Sequence, residues 1–162
     1  MGPAGTTLVV VKESILGKVS RTIPSMLDYR THIDKDSMFN TPPVFAVYTS
    51  MLTLEWLKEN GGITNIEKKN IEKANLLYDA IDNNELFTGF ARKEDRSLMN
   101  VTFNLKNQEH KNNFDKLCLE AKINGVNGHR SVGGYRASIY NALSIDSIKV
   151  LIEVMNELKR TI

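Results

Sequence analysis

Apolar and polar residues alternate strictly from Met99 to Leu105. Met99, Val101, Phe103 and Leu105 fall on one side, and Asn100, Thr102 and Asn104 on the other. A period of two predicts a strand with one buried and one polar face. Phe87 to Phe90 reads as a second strand, with Lys93 to Ser97 as the turn between them. Around this pair the period changes to that of a helix. Ile66, Ile71, Ala74, Leu77 and Ile81 form a stripe that Thr64-Asn65-Ile66-Glu67 opens as a capping box and Asp82-Asn83-Asn84 closes. Phe114, Leu117, Cys118 and Ala121 predict a helix that Asn107 caps and that runs to about Ile123. Ile148, Leu151, Ile152, Met155 and Leu158 predict a last helix capped by Ser144, after a strand from about Gly134 to Tyr140. The order helix, two strands, helix, strand, helix predicts an open sheet covered on one face by helices.

The first third of the chain is read differently. Gly2-Pro3-Ala4-Gly5 is a turn, and the β-branched run Thr6 to Val11 predicts a buried strand. Lys12 to Gly17 reads as a short helix or turn, and Ser20 to His32 as loop and short strand. In Asn40-Thr41-Pro42-Pro43, Thr41 suits an N-cap and Pro42 a first helical position. Val44, Phe45, Val47, Tyr48, Met51, Leu52 and the run Leu54 to Leu57 predict a largely buried helix that Asn60-Gly61-Gly62 ends. The expected division is residues 1–62 and 63–162.

Composition narrows the class of function. The 162 residues are 41% hydrophobic and 25% charged, with a net charge of +2 and no block of one sign. Such a balance is that of an ordinary globular chain and argues against a dedicated nucleic-acid or membrane surface. Glu67-Lys68-Lys69 reads as a solvated helix face. Cys118 is the single cysteine. It lies in an apolar series and is expected to be a buried structural thiol, consistent with a reducing cytosol. No signal peptide, membrane-spanning run, internal repeat or metal-ligand set is expected.

The chemistry concentrates in Gly128-His129-Arg130-Ser131-Val132-Gly133-Gly134-Tyr135-Arg136-Ala137-Ser138. Two guanidiniums six positions apart suit two anionic groups on one small molecule, because each offers a planar fork to a carboxylate or phosphate. His129 adds a donor, and Gly133-Gly134 permits a sharp turn or a close approach. The plain alternative is a hairpin with its arginines in solvent. The segment ahead of Val44 carries a similar choice. A helix N-terminus can hold a phosphate, or Thr41 can simply cap its own helix.

Three stretches together resemble the phosphoserine aminotransferase family of pyridoxal-phosphate enzymes. They are Gly2 to Val11, Pro24 to His32 with Asp36 to Pro43, and Gly128 to Ser138, and they follow the family's order across essentially the whole chain. The resemblance implies an α/β fold, the C-terminal part of a fold-type I aminotransferase. A small α+β domain with helices on one face of an open sheet would follow a remnant of the large cofactor-binding domain. It implies transfer of an amino group between glutamate and 3-phosphohydroxypyruvate, giving O-phosphoserine and 2-oxoglutarate in serine biosynthesis. It further implies a cytoplasmic homodimer with shared active sites. Asn40 and Thr41 would reach the phosphate of pyridoxal 5'-phosphate held by the other subunit. Arg136 would take the substrate carboxylate, and His129 and Arg130 the phosphate end. The Schiff-base lysine would precede Met1, so the chain alone is expected to be inactive. The competing expectation is a non-catalytic module that binds a phosphorylated metabolite or only dimerises.

Overall fold

The computed structural model describes residues 2–130 and 132–162. Met1 and Ser131, the latter inside the His-Arg stretch, lie outside the described residues. The chain divides into two compact units, Met1–Asn60 and Gly61–Ile162.

In the first unit, 3₁₀ turns at Glu13–Ile15 and Ser25–Leu27 precede helices α1 (Tyr29–Ile33) and α2 (Val44–Glu59). Ser20 to His32, expected as loop and short strand, is turn and helix. Asp28 explains this locally: its carboxylate caps α1 by accepting from the Arg30 N–H at 3.0 Å, and the Arg30 guanidinium folds back onto it at 2.6 Å. That pairing holds the Asp28 carboxyl below the usual carboxylate range.

Two expectations fail in this unit. Residues 6–11 are not a buried strand; they belong to no strand or helix, with Leu8 77% and Val10 91% exposed. An apolar β-branched run favours an extended backbone, but a strand also needs a neighbour for its N–H and C=O groups. No strand occurs among the described residues of this unit. Helix α2 forms, yet of its described residues only Ala46 and Ser50 are buried, and Phe45 is 76% exposed. Its apolar residues run round the whole circumference, so one contact line covers a small part of them. The opening turn lies along that line. A Cβ on Gly2 would sit 2.5 Å from Ser50 Oγ, and one on Gly5 would sit 3.2 Å from Ala46 Cβ. The start of α2 is also shifted. Pro43, not Thr41, is the N-cap, with no side-chain cap bond. A residue before proline is kept out of the helical region, and here both Thr41 and Pro42 precede prolines.

The second unit starts with α3 (Gly62–Asp82), entered from Gly61 in the left-handed region at φ +84°. The helix therefore begins ahead of Thr64-Asn65-Ile66-Glu67, which lies within its first turns instead of capping it. Its buried face is Ile66, Asn70, Lys73, Ala74, Leu77, Tyr78 and Ile81. Ile71, expected in the stripe, is turned outward and 39% exposed.

Strands β1 (Phe87–Gly89), β2 (Asn100–Leu105) and β3 (Tyr135–Ser138) form one antiparallel sheet in the order β1-β2-β3, with Gly89 opposite Phe103 and Thr102 opposite Arg136. The predicted alternation of β2 holds along its length: Val101, Phe103 and Leu105 are buried, while Asn100, Thr102 and Asn104 are half-exposed. Helices α3, α4 (Lys111–Glu120) and α5 (Ile145–Thr161) build the core against the buried face. Helix α4 stops short of Ile123, because Lys122 takes a left-handed conformation at φ 59°. Helix α5 starts where expected, with Ser144 Oγ accepting from the Ser147 N–H at 3.2 Å.

Aromatic rings fill the centre of this core. Phe114 meets Phe87 edge-on at 5.2 Å and Tyr135 at 4.9 Å, and Tyr135 stacks on Phe103 at 5.4 Å. Each such ring stabilises by about 2–3 kcal/mol through burial alone. Cys118 is buried beside them. Burial, with a smaller contribution from Asp115, pushes its thiol up to about 11. The connector between β1 and β2 is pinned by Arg96, which forks onto Asp82 at 2.8 and 2.7 Å and lies 4.5 Å over the Tyr78 ring.

Candidate functional site

The helices occupy one face of the sheet and leave the other open. That open face carries Asn100, Thr102 and Asn104 from β2, with Arg136 and Ser138 from β3. Arg136 is exposed and sits across from Thr102. Its strand is fixed from behind by Tyr135, whose buried hydroxyl donates to Asp115 Oδ1 at 2.8 Å, while Lys111 pairs with the same carboxylate. Burial first, and then the Asp115 contact, drive the Tyr135 phenol far above its ordinary range.

A tight turn brings the rest of the His-Arg stretch to this strand. The Gly128 N–H donates to Gly134 O at 2.8 Å, and the Gly133 N–H to His129 O at 2.8 Å. The Arg136 N–H donates to Val126 O at 2.7 Å, which ties the incoming segment to the edge of β3. Glycine is required at both ends of the turn. A Cβ on Gly134, at φ +64°, would overlap Asn104 Oδ1 and come within 2.9 Å of Phe103 O. One on Gly128 would overlap Gly133 O.

The turn and the sheet enclose a groove of about 260 Å³ lined by Phe90, Thr102, Asn104, Gly128, His129 and Arg136, among others. His129 and Arg136 are thus brought together. Arg130 is on the same turn, exposed and outside the groove's lining. Asn40 and Thr41 belong to the other unit, both exposed, with Asn40 Nδ2 donating to Thr41 O at 3.1 Å. A groove with a guanidinium, an imidazole and half-exposed amide and hydroxyl groups can bind and orient an anion. Among the described residues no group of three His, Cys, Asp or Glu side chains could hold a metal ion. None of the helices formed by them is long and apolar enough to cross a membrane.

Sequence reasoning missed Thr102 and Asn104 as groove residues, although the polar half of the β2 alternation contained both. It also missed Lys73. That side chain is 2% exposed, and its ammonium donates to the carbonyls of Ile139 at 3.1 Å, Tyr140 at 2.7 Å and Leu143 at 3.1 Å. One turn earlier on α3, Asn70 Nδ2 donates to Asn141 Oδ1 at 2.8 Å. The signal was present: positions 66, 70, 73, 74, 77 and 81 share one helix face, which puts Lys73 inside.

Solved structures share this architecture. The chain matches a phosphoserine aminotransferase studied for radiation damage of its Schiff base with a TM-score of 0.90 and 48% identity, over 99% of this chain and 45% of that one. The enzyme from Bacillus circulans subsp. alkalophilus gives 0.85 and 39%, over 93% and 42%. A PLP-bound phosphoserine aminotransferase from Trichomonas vaginalis gives 0.75 and 35%, over 85% and 40%. The fold is that of the C-terminal part of an aminotransferase, as the resemblance implied.

The family pattern described as "Aminotransferase class-V" matches residues 1–151, and the chain belongs to that family. Curated relatives are the phosphoserine aminotransferases of Flavobacterium psychrophilum, 63% identical over 162 residues, and Flavobacterium johnsoniae, 65% identical over 159. The match covers 100% and 98% of this chain but 46% and 45% of those proteins. The chain thus spans somewhat under half the length of these relatives and corresponds to their C-terminal part.

Proposed function

We propose that this chain is the substrate-binding C-terminal portion of a phosphoserine aminotransferase, moving an amino group between glutamate and 3-phosphohydroxypyruvate to give O-phosphoserine in serine biosynthesis. The observation that carries this reading is the groove shared by His129 and Arg136 on the open face of the sheet. The curated relatives at 63% and 65% identity support it. Arg136 takes the substrate carboxylate with a two-pronged fork, and His129 with Arg130 takes the phosphate or the glutamate side-chain carboxylate. On this reading, residues 1–62 belong to the large cofactor-binding domain and residues 63–162 to the small domain.

The cofactor is pyridoxal 5'-phosphate, which when bound supplies an electron sink for the transfer. Asn40 and Thr41 are the residues of this chain that fit its phosphate. Both are exposed, and the Thr41 hydroxyl does not cap α2, so it is available as a donor. In a homodimer they serve the partner's site, and the uncovered apolar surface of α2 supports such an assembly. The setting is the cytoplasm.

The test mixes this chain with a separately expressed upstream half bearing the Schiff-base lysine and follows phosphoserine:2-oxoglutarate transamination. Turnover is expected only from the two pieces together. Arg136→Lys should raise KM about tenfold to a hundredfold, the loss of a forked, charge-assisted contact. Folded and associated pieces without turnover would point to the non-catalytic module instead.

A further inference from the structure

Lys73 has no carboxylate partner in any contact described above. Its three donors go to three carbonyls, and all three belong to the segment by which the chain leaves β3. Ile139 still belongs to the sheet edge, since its N–H donates to Met99 O at 2.9 Å. Tyr140 and Leu143 close the turn beyond it, the Leu143 N–H donating to Tyr140 O at 3.0 Å. Asn70 holds Asn141 inside the same turn. An ammonium is suited to this task because it has three donors and no acceptor, so one buried group can gather three carbonyls of the same segment at once.

We propose that Lys73 is a positioning residue for Arg136, its ammonium acting as an internal cation that fixes the exit of β3 and so the strand that presents the guanidinium. Arg136 lies three residues before the first clamped carbonyl. The Gly128–Gly134 turn holds one end of its strand and Lys73 the other. The groove keeps its shape only while both ends are held. The part of the inference that concerns Arg136 rests on the substrate reading above; the clamp itself does not.

Hydrogen exchange on the chain tests the clamp. Lys73→Met keeps the length and removes the donors. It should speed exchange roughly tenfold or more at the Arg136, Ile139 and Leu143 amides, while Phe90 and Lys106, bonded on the β1–β2 side, stay protected. Lys68→Met, on the exposed side of α3, should change none of them. In Lys73→Ala, added propylammonium replaces the missing atoms and should restore protection, whereas propanol should not. Uniform loss of protection, no loss, or equal rescue by propanol would overturn the clamp.

In the reassembled enzyme, Lys73→Met should raise KM for O-phosphoserine about tenfold with kcat within about threefold. A loosened clamp with unchanged KM would overturn the link to Arg136. Wild-type pieces that fold, associate and show no turnover would instead sink the aminotransferase reading, leaving Lys73 to the exchange data.

Discussion

Gly133 and Gly134 are neighbours, both in the left-handed region, at φ +75° and +64°, yet they differ in what surrounds them. Among the described residues beyond its chain neighbours, nothing lies within 4 Å of the place a Cβ on Gly133 would take. A Cβ on Gly134 would overlap Asn104 Oδ1 and reach Phe103 O at 2.9 Å. Alanine at either position carries the left-handed penalty of about 1–2 kcal/mol. At Gly134 the backbone oxygen cannot swing aside, because Phe103 is paired with Gly89 on one side and Tyr135 on the other. The added cost is that of overpacking, about 1–3 kcal/mol. Gly133→Ala should therefore lose about 1–2 kcal/mol and Gly134→Ala about 2–5 kcal/mol. Urea unfolding read at the amide resonances of β2 and β3 follows the second unit by itself. Equal losses at the two glycines would refute the close packing of the turn on β2. A Gly134→Ala loss smaller than that of Gly133→Ala would refute the assignment of the clash.

Phe114→Ala removes a fully buried ring that touches Phe87, Phe103 and Tyr135, and should cost about 3–5 kcal/mol in denaturant unfolding. Cys118 should resist thiol reagents until the second unit unfolds. Its raised pKa means that stability is complete below the ordinary value of 9.0 and falls as pH rises towards about 11, by roughly 2–3 kcal/mol; Cys118→Ala should flatten that alkaline slope in pH-dependent melts. Asp82 is the reverse case, its carboxyl held low chiefly by the Arg96 fork. Its contribution is present above 3.8 and lost as pH falls below it, so Asp82→Asn should weaken the acid limb of the same melts.

Elements that close on themselves were legible in the sequence. The β2 alternation, the Ser144 cap and the α5 stripe all state a local period and a local boundary, and each appears where that period puts it. The failures share a physical cause. Hydrophobicity indicated the helix of α2 but not its exposure, and for Thr6 to Val11 it indicated a buried strand where no strand forms. Thr41 was misplaced because two successive prolines restrict the residues before them more strongly than a hydroxyl attracts a helix start. Lys73 is hidden in the sequence because a charged residue ordinarily marks a solvated position, whereas the helix face it occupies runs against the end of β3. At the site, residue types suggested anion binding, but only the sheet register shows that Thr102 and Asn104 stand beside Arg136.

The division of labour between the two faces of the sheet bears on how such a site can be altered. Stability is concentrated on the helix-covered side, in Phe87, Val101, Phe103, Tyr135 and Ala137. The groove draws instead on alternate positions of the same strands, which face away from that core. Substitutions at Thr102, Asn104 and Arg136 can therefore be explored, by mutation over generations or by library selection, with little drain on the folded state. Ligand preference in this scaffold is free to drift while the packing that supports it stays still.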